Sequence, residues 1–200
     1  MLCLAQPASA QSPDIPDLTF QRLVLDPAYA TLAAQIDHMG VAPFTFTFDD
    51  FSATLDIGTQ ELHATKLTAE VRTASLDLPA PPAGFLDTIL GPDWLRAAAF
   101  PTIRYSSDGF DRTGPRTARV TGKLTLLGVS APLTLHVYFH GGYAEAPWEP
   151  VPRLGFTATG SFERADFGLT EGLPPPGTRT GVGNRIGFRI TAEFKGLDPL

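Results

Sequence analysis

The sequence predicts an all-β protein, mainly antiparallel, folded as a closed β-barrel of about eight strands. Two observations support this prediction. Apolar and polar residues alternate through most of the chain, which gives each strand one dry and one solvated face. Only one stretch, residues 83–99, instead carries apolar residues at helical spacing. We therefore expect a single kinked helical insertion in the barrel.

The first clear strand carries Phe44, Phe46 and Phe48 on one face. Two aspartates at 49–50 interrupt it, and the alternation resumes over 51–57 in the opposite parity. A bulge or tight corner produces such a reversal, because one extra residue exchanges the two faces of a strand.

The helical segment has mixed three- and four-residue spacing, with Phe85, Ile89, Trp94 and Leu95 among its apolar residues. Gly91 and Pro92 must break or kink it, because proline cannot donate a backbone hydrogen bond within a helix. Proline is favoured at the first helical position, so we expect Pro92 to open a second short helix.

The C-terminal half alternates most regularly, with Phe139, Phe156 and Phe188 on the apolar faces of three strands. Two loops rich in proline and glycine, 141–152 and 171–184, separate these strands. An immunoglobulin-type sandwich is the structural alternative. The central helix and a long strand near 61–78 fit that alternative poorly.

Length and charge restrict the class of protein. Two hundred residues fit one domain, and the net charge of −6 comes with scattered rather than clustered basic residues. A nucleic-acid groove needs a positive stripe, so we expect no nucleic-acid partner. Beyond residue 10, no segment approaches the ~20 continuous apolar residues that a transmembrane helix needs.

The N-terminus suggests export. Ala8-Ser9-Ala10 before Gln11 is typical of a signal-peptidase site. We expect residues 1–10 to be a residual signal-peptide segment, residues 11–200 to form a single domain, and the protein to be periplasmic or secreted. A disordered N-terminus on a cytosolic protein is the alternative.

Reactive motifs are sparse. His136 and His140 share a strand face but lie ~13 Å apart, too far for one metal ion, and no Gly-x-Ser-x-Gly elbow is present. Arg164 and Asp166 lie just before Phe167 and Gly168, where a salt bridge that fixes a strand corner explains them as well as catalysis would. We therefore predict no catalytic residue, no metal and no cofactor.

Several motifs, taken in order, resemble the YceI-like polyisoprenoid-binding family, whose members are lipocalin-like barrels. The most specific is Gly122–Leu135, and 163–169 follows it downstream. His38-Met39-Gly40 and the segment 93–107 match the same pattern. Two positions depart from it: Tyr29 replaces a usual histidine, and Phe46 replaces a usual glycine.

The resemblance implies a non-catalytic protein that binds or transports an amphipathic isoprenoid lipid, a polyprenol or an isoprenoid quinone. We also consider a homodimer. The predicted ligand-binding residues are His38, Phe44, Phe46, Phe48, Phe85, Ile89, Trp94, Leu95, Tyr105, Phe139, Phe156 and Phe188. The pattern alone fits a filled barrel as well as an open one. Two alternatives therefore remain.

The first alternative is an interaction protein with a filled barrel and two long binding loops. The second is an enzyme acting on a hydrophobic substrate, which would need polar groups such as His38, Arg104 or Asp166 to converge inside the barrel.

Overall fold

The computed structural model of the protein describes residues 22–58 and 64–197. Within them lie ten antiparallel strands and one short α-helix. In chain order these are β1 Arg22–His38, β2 Ala42–Phe48, β3 Phe51–Asp56, β4 Lys66–Arg72, β5 Leu76–Asp77, α1 Phe85–Leu90, β6 Thr102–Arg112, β7 Thr117–Leu126, β8 Val129–Tyr143, β9 Arg153–Glu163 and β10 Val182–Gly196. The predicted signal-peptide segment lies outside the described residues.

Eight of these strands close into a barrel, in the order β10-β9-β8-β7-β6-β4-β3-β1, and β1 pairs back onto β10. The closing pair runs from Leu23 opposite Gly196 to His38 opposite Val182. Closure removes the exposed edges that an open sheet of this size would present. The predicted all-β barrel is therefore confirmed.

The two extra strands, β2 and β5, attach beside one end of the barrel. The N-terminal part of β1 pairs with β3 and its C-terminal part pairs with β2, so both strands share one edge of β1. The chain turns between them at residues 49–50, where the alternation changes parity. The predicted corner is therefore present, and it connects the extra strand β2 to the barrel strand β3.

The helical insertion is shorter than predicted. The helix ends at Leu90, Gly91 is extended (φ −77°, ψ −174°), and no second helix begins at Pro92. Instead, the N–H groups of Leu95 and Ala97 donate to carbonyls of Ile89 and Leu90. The segment after Pro92 folds back onto the end of α1 and satisfies those carbonyls.

Other predicted boundaries also change. The long strand expected near 61–78 is interrupted by a 3₁₀ turn at Thr73–Ser75, which separates β4 from β5. Strand β8 continues to Tyr143, so the first long loop is shorter than predicted. Strand β10 begins at Val182, so the second loop ends at residue 181 rather than 184. Among the described residues, no helix has the length and apolar character needed to span a membrane.

Candidate ligand-binding cavity

The barrel encloses a cavity of about 1120 Å³. All eight barrel strands contribute to it, together with β2 and α1. Strand β8 illustrates how: Leu133, Leu135, Val137 and Phe139 line the cavity, while the alternate residues point outward. The period of two in the sequence therefore becomes a continuous apolar inner surface.

The structure brings the predicted site residues together. All twelve lie along this one cavity: His38, Phe44, Phe46, Phe48, Phe85, Ile89, Trp94, Leu95, Tyr105, Phe139, Phe156 and Phe188. That they contact a ligand remains a prediction.

The interior is open rather than filled. Phe44, Phe46 and Phe188 point into the barrel yet are only half-buried, because empty space lies beside their rings. Phe46 pairs with Ala34 across β1 and meets the Phe48 ring edge-on at 6.1 Å. The departure at Phe46 therefore narrows the cavity without closing it.

Two glycines on the inner face provide room for larger rings. A Cβ at Gly122 would lie 2.6 Å from the Tyr105 hydroxyl, and one at Gly160 would lie 2.5 Å from Cζ of Phe188. Both separations are shorter than van der Waals contact. The Tyr105 and Phe188 rings can therefore occupy their positions only because glycine has no side chain there.

Tyr105 is a polar group of the lining, but a satisfied one. Its hydroxyl donates to the carbonyl of Val120 at 3.2 Å, and burial raises the pKa of Tyr105 because the phenolate would lose its hydration. The hydroxyl thus stays protonated and serves the packing of the wall.

Arg164 is completely buried and lies among the lining residues at one end of the barrel. Its guanidinium donates to the carbonyls of Leu169, Val182 and Gly183 at 2.8–2.9 Å and lies over the Trp94 ring at 5.5 Å. The predicted salt bridge with Asp166 is wrong, because the backbone carbonyls satisfy the guanidinium and Asp166 is exposed.

The polar groups that an enzyme would need do not converge. His38 lines the cavity, 6.3 Å from the Phe44 ring. The Arg104 guanidinium instead bonds Glu70 at an exposed position. Of this trio, His38 and Arg104 border the cavity but are exposed, and Asp166 does not line it.

The two described histidines outside the cavity, His136 and His140, do not form a metal site. His136 and His140 lie on the outside of the barrel, and Nε2 of His140 is 2.8 Å from the Thr157 hydroxyl. No cluster of metal-ligating side chains occurs within the described ranges. His63 falls outside them.

The sequence reasoning missed several lining residues. Phe110 lines the cavity although a register shift between Ser107 and Gly109 changes the parity of β6 before it, and that bulge leaves no clear sequence signal. Phe162 lines the cavity on the same face of β9 as Phe156. Arg112 and Arg116 were missed because arginine at a hairpin is usually only a solvated turn residue.

Comparisons with known proteins agree with this architecture. The model of the YceI-like domain matches residues 23–194. A UPF0312 protein of Pseudomonas savastanoi pv. phaseolicola is 33% identical over 141 residues, covering 70% of this chain and 71% of that protein.

Two solved structures have the same fold. BcnA of Burkholderia cenocepacia gives a TM-score of 0.70 at 21% identity, over 84% of this chain and 98% of its own. A polyisoprenoid binding domain from Saccharophagus degradans, implicated in plant cell wall breakdown, gives a TM-score of 0.63 at 10% identity. That match covers 90% of this chain and 100% of the domain.

Proposed function

This chain belongs to the YceI-like family, and from that premise we propose that it binds an isoprenoid lipid, a polyprenol or an isoprenoid quinone, inside its barrel. The observation that carries the proposal is the open apolar cavity of about 1120 Å³. A cavity without a ligand costs packing energy, whereas a hydrocarbon chain would supply the missing contacts. The polyisoprenoid binding domain from Saccharophagus degradans, which has the same fold, supports this choice of ligand.

Burial of the hydrocarbon chain is the proposed source of the affinity. Transfer of a methylene group out of water yields ~0.8 kcal/mol, so ten such groups give about 8 kcal/mol before the cost of association. Since that gross value corresponds to roughly micromolar affinity, a longer chain would offset the association cost. No reactive residue is required.

The lining also favours binding over catalysis. Tyr105 is bonded to Val120, Arg164 is sealed behind Trp94, and His38 has no acidic partner among the described residues lining the cavity. A general acid or base must lie within hydrogen-bond reach of the proton it transfers, and His38 is exposed at the end of β1. We therefore propose a carrier or sequestering protein.

We propose further that this carrier acts after export to the periplasm. The Ala8-Ser9-Ala10 pattern supports export, and an extended hydrocarbon needs a protein cover to cross an aqueous compartment. The homodimer considered above stays a prediction.

A cavity-blocking variant tests the function. Ala158 lies on the inner face of β9 between Val137 and Ile190, so Ala158→Trp places an indole in the cavity. Thr159→Trp, one residue along on the outer face, adds the same bulk outside the barrel and is the matched control.

Native mass spectrometry of protein isolated from cells is the measurement. Wild type and Thr159→Trp should retain a stoichiometric isoprenoid adduct and should lose it only on extraction, while folded Ala158→Trp should be free of lipid. The same masses report whether the chain begins at Gln11. A wild-type protein that carries no lipid and takes up no added polyprenol or quinone would refute the proposed function.

A further inference from the structure

The charged lining of the cavity has one sign. The chain carries 21 acidic and 15 basic residues, yet no aspartate or glutamate of the described ranges lines the cavity, whereas four arginines do. The lining of the cavity therefore lacks carboxylates within the described ranges, although the protein as a whole is acidic. The question is which arginines have charge to offer a ligand.

Two of the four are already committed. Arg104 is neutralised by Glu70 at 2.6 Å, and Arg164 has no exposed surface. The other two, Arg112 and Arg116, flank the hairpin between β6 and β7 and do have exposed surface.

Arg112 and Arg116 are bonded to backbone carbonyls alone. Nε and Nη2 of Arg112 donate to Gly114 and Pro115, each at 3.0 Å, and Nη1 of Arg116 donates to His140 at 2.8 Å. No carboxylate within the described residues forms an ion pair with either. Since a guanidinium has five N–H donors, both groups keep donors for another acceptor.

The neighbouring arginine behaves differently. Arg119 lies on β7 opposite Asp111, and their side chains approach to 3.6 Å on the outer face. Asp111, although adjacent to Arg112 in sequence, is thus directed to Arg119. The hairpin separates paired charge outside the barrel from unpaired charge at the cavity.

The two arginines stand where the apolar lining ends. Phe110 and Ala118 line the cavity on the two strands, and Arg112 and Arg116 follow next to the turn. A lipid whose hydrocarbon chain lies in the barrel and whose head group lies at this end would therefore have that head group beside both guanidinium groups.

We propose that the β6–β7 hairpin, through Arg112 and Arg116, binds the phosphate of a phosphate-bearing isoprenoid whose chain occupies the cavity. The inference rests on the proposed function and specifies the head group of its ligand. Arginine suits this role because its planar guanidinium donates two parallel hydrogen bonds to phosphate oxygens.

The test compares geranylgeranyl phosphate with geranylgeraniol, which share one hydrocarbon chain. Wild type should bind the phosphate roughly tenfold more tightly than the alcohol, because charge-assisted hydrogen bonds are the stronger kind. The double variant Arg112→Gln with Arg116→Gln should lose that preference and keep its affinity for the alcohol. Arg119→Gln, which removes one positive charge from the same hairpin, should retain the preference.

Other outcomes overturn the inference. Equal wild-type affinity for both lipids would overturn it and leave the proposed function intact, whereas failure to bind either would reject both. Loss of preference in Arg119→Gln would indicate a general charge effect. If the double variant does not fold, Arg116→Gln decides, because it removes a single backbone hydrogen bond: an unchanged preference overturns the proposal.

Discussion

At the scale of single residues, Arg164 connects three parts of the chain at one end of the barrel. Leu169 follows β9, Val182 and Gly183 begin β10, and Trp94 belongs to the segment after α1. Burial lowers the pKa of Arg164, because desolvation penalises the charged form, while the charge of Glu171 opposes that effect. The three carbonyls make this buried cation tolerable, and the cation in turn satisfies them.

Replacement of Arg164 should therefore cost stability. Arg164→Met leaves three buried carbonyls without this donor, and we expect the free energy of unfolding to fall by about 2–4 kcal/mol. Urea denaturation measures it. Arg185→Met is the control, since exposed Arg185 bonds only Ser161 within the described chain and should change stability by less than about 0.5 kcal/mol. An equally small effect at Arg164 would show that the carbonyls have another partner.

Residue types predicted the apolar lining of the site but not the partners of its polar residues. Phenylalanines on an alternating strand face inward because an aromatic ring in water is costly. The partner of an arginine, in contrast, depends on which distant segment folds over it. Arg164 finds carbonyls from residues up to 19 positions away, so the sequence suggested the adjacent Asp166 instead.

At the scale of elements, most strands and the start of the helical insertion were predictable, whereas the fold of the segment after Gly91 was not. Period two is visible along most strands, including the reversal at 49–50, but it is broken by the register shifts in β1 and β6. The segment 91–99 keeps helical spacing of apolar residues, but the N–H groups of Leu95 and Ala97 donate to carbonyls of α1. Arg96 adopts a positive φ of 46°, a conformation that no periodicity reveals. Packing against the barrel end overrides the local pattern.

The loop between β8 and β9 is stabilised by an ionic network around Arg153. Its guanidinium bonds Glu149, Asp26 and Glu193, and the Tyr143 hydroxyl donates to Glu149. The hydrogen bond from Arg153, followed by that from Tyr143, lowers the pKa of Glu149 to about 2. For Asp26, burial alone would raise the pKa, but the bonds from Arg153 and Ala28 and the charge of Lys195 outweigh it and lower it.

This network should make the protein acid-sensitive. Because the folded pKa of Glu149 lies below its usual 4.5, its contribution is complete above that pH and is lost as pH falls toward about 2. Glu149→Gln should therefore lower stability near neutrality and flatten its decline over that window. Denaturation curves at several pH values measure this effect.

The matched control is Glu145→Gln, a substitution at an exposed residue of the same loop. It should preserve the wild-type pH profile. An identical acid profile in wild type and Glu149→Gln would show that the network does not contribute to stability.

At the scale of the whole molecule, the cavity results from closure and small inward residues together. Closure pairs β1 with β10, the first and last strands, and eight strands leave space at the barrel centre. Inward alanines such as Ala53, Ala69, Ala118 and Ala158 do not fill that space. Alternation is the same for a filled and an open barrel, so the sequence could not decide between them.

The finite cavity predicts how affinity depends on ligand length. Each added five-carbon isoprene unit contributes up to about 4 kcal/mol while it is buried and nothing once it extends outside. The affinity of a polyprenol series should therefore rise with chain length and then reach a plateau. Phe46 projects into the cavity beside Ala34, so Phe46→Ala should move the plateau to longer chains.

Titration of wild type and variant with polyprenols of increasing length measures this shift. Tyr138→Ala, which removes a ring from an exposed position on β8, should leave the plateau where it is. If Phe46→Ala binds each polyprenol as the wild type does, the ring does not limit the cavity. If affinity is independent of chain length in every protein, the head group rather than the hydrocarbon chain determines binding, because burial inside the barrel must scale with the buried chain.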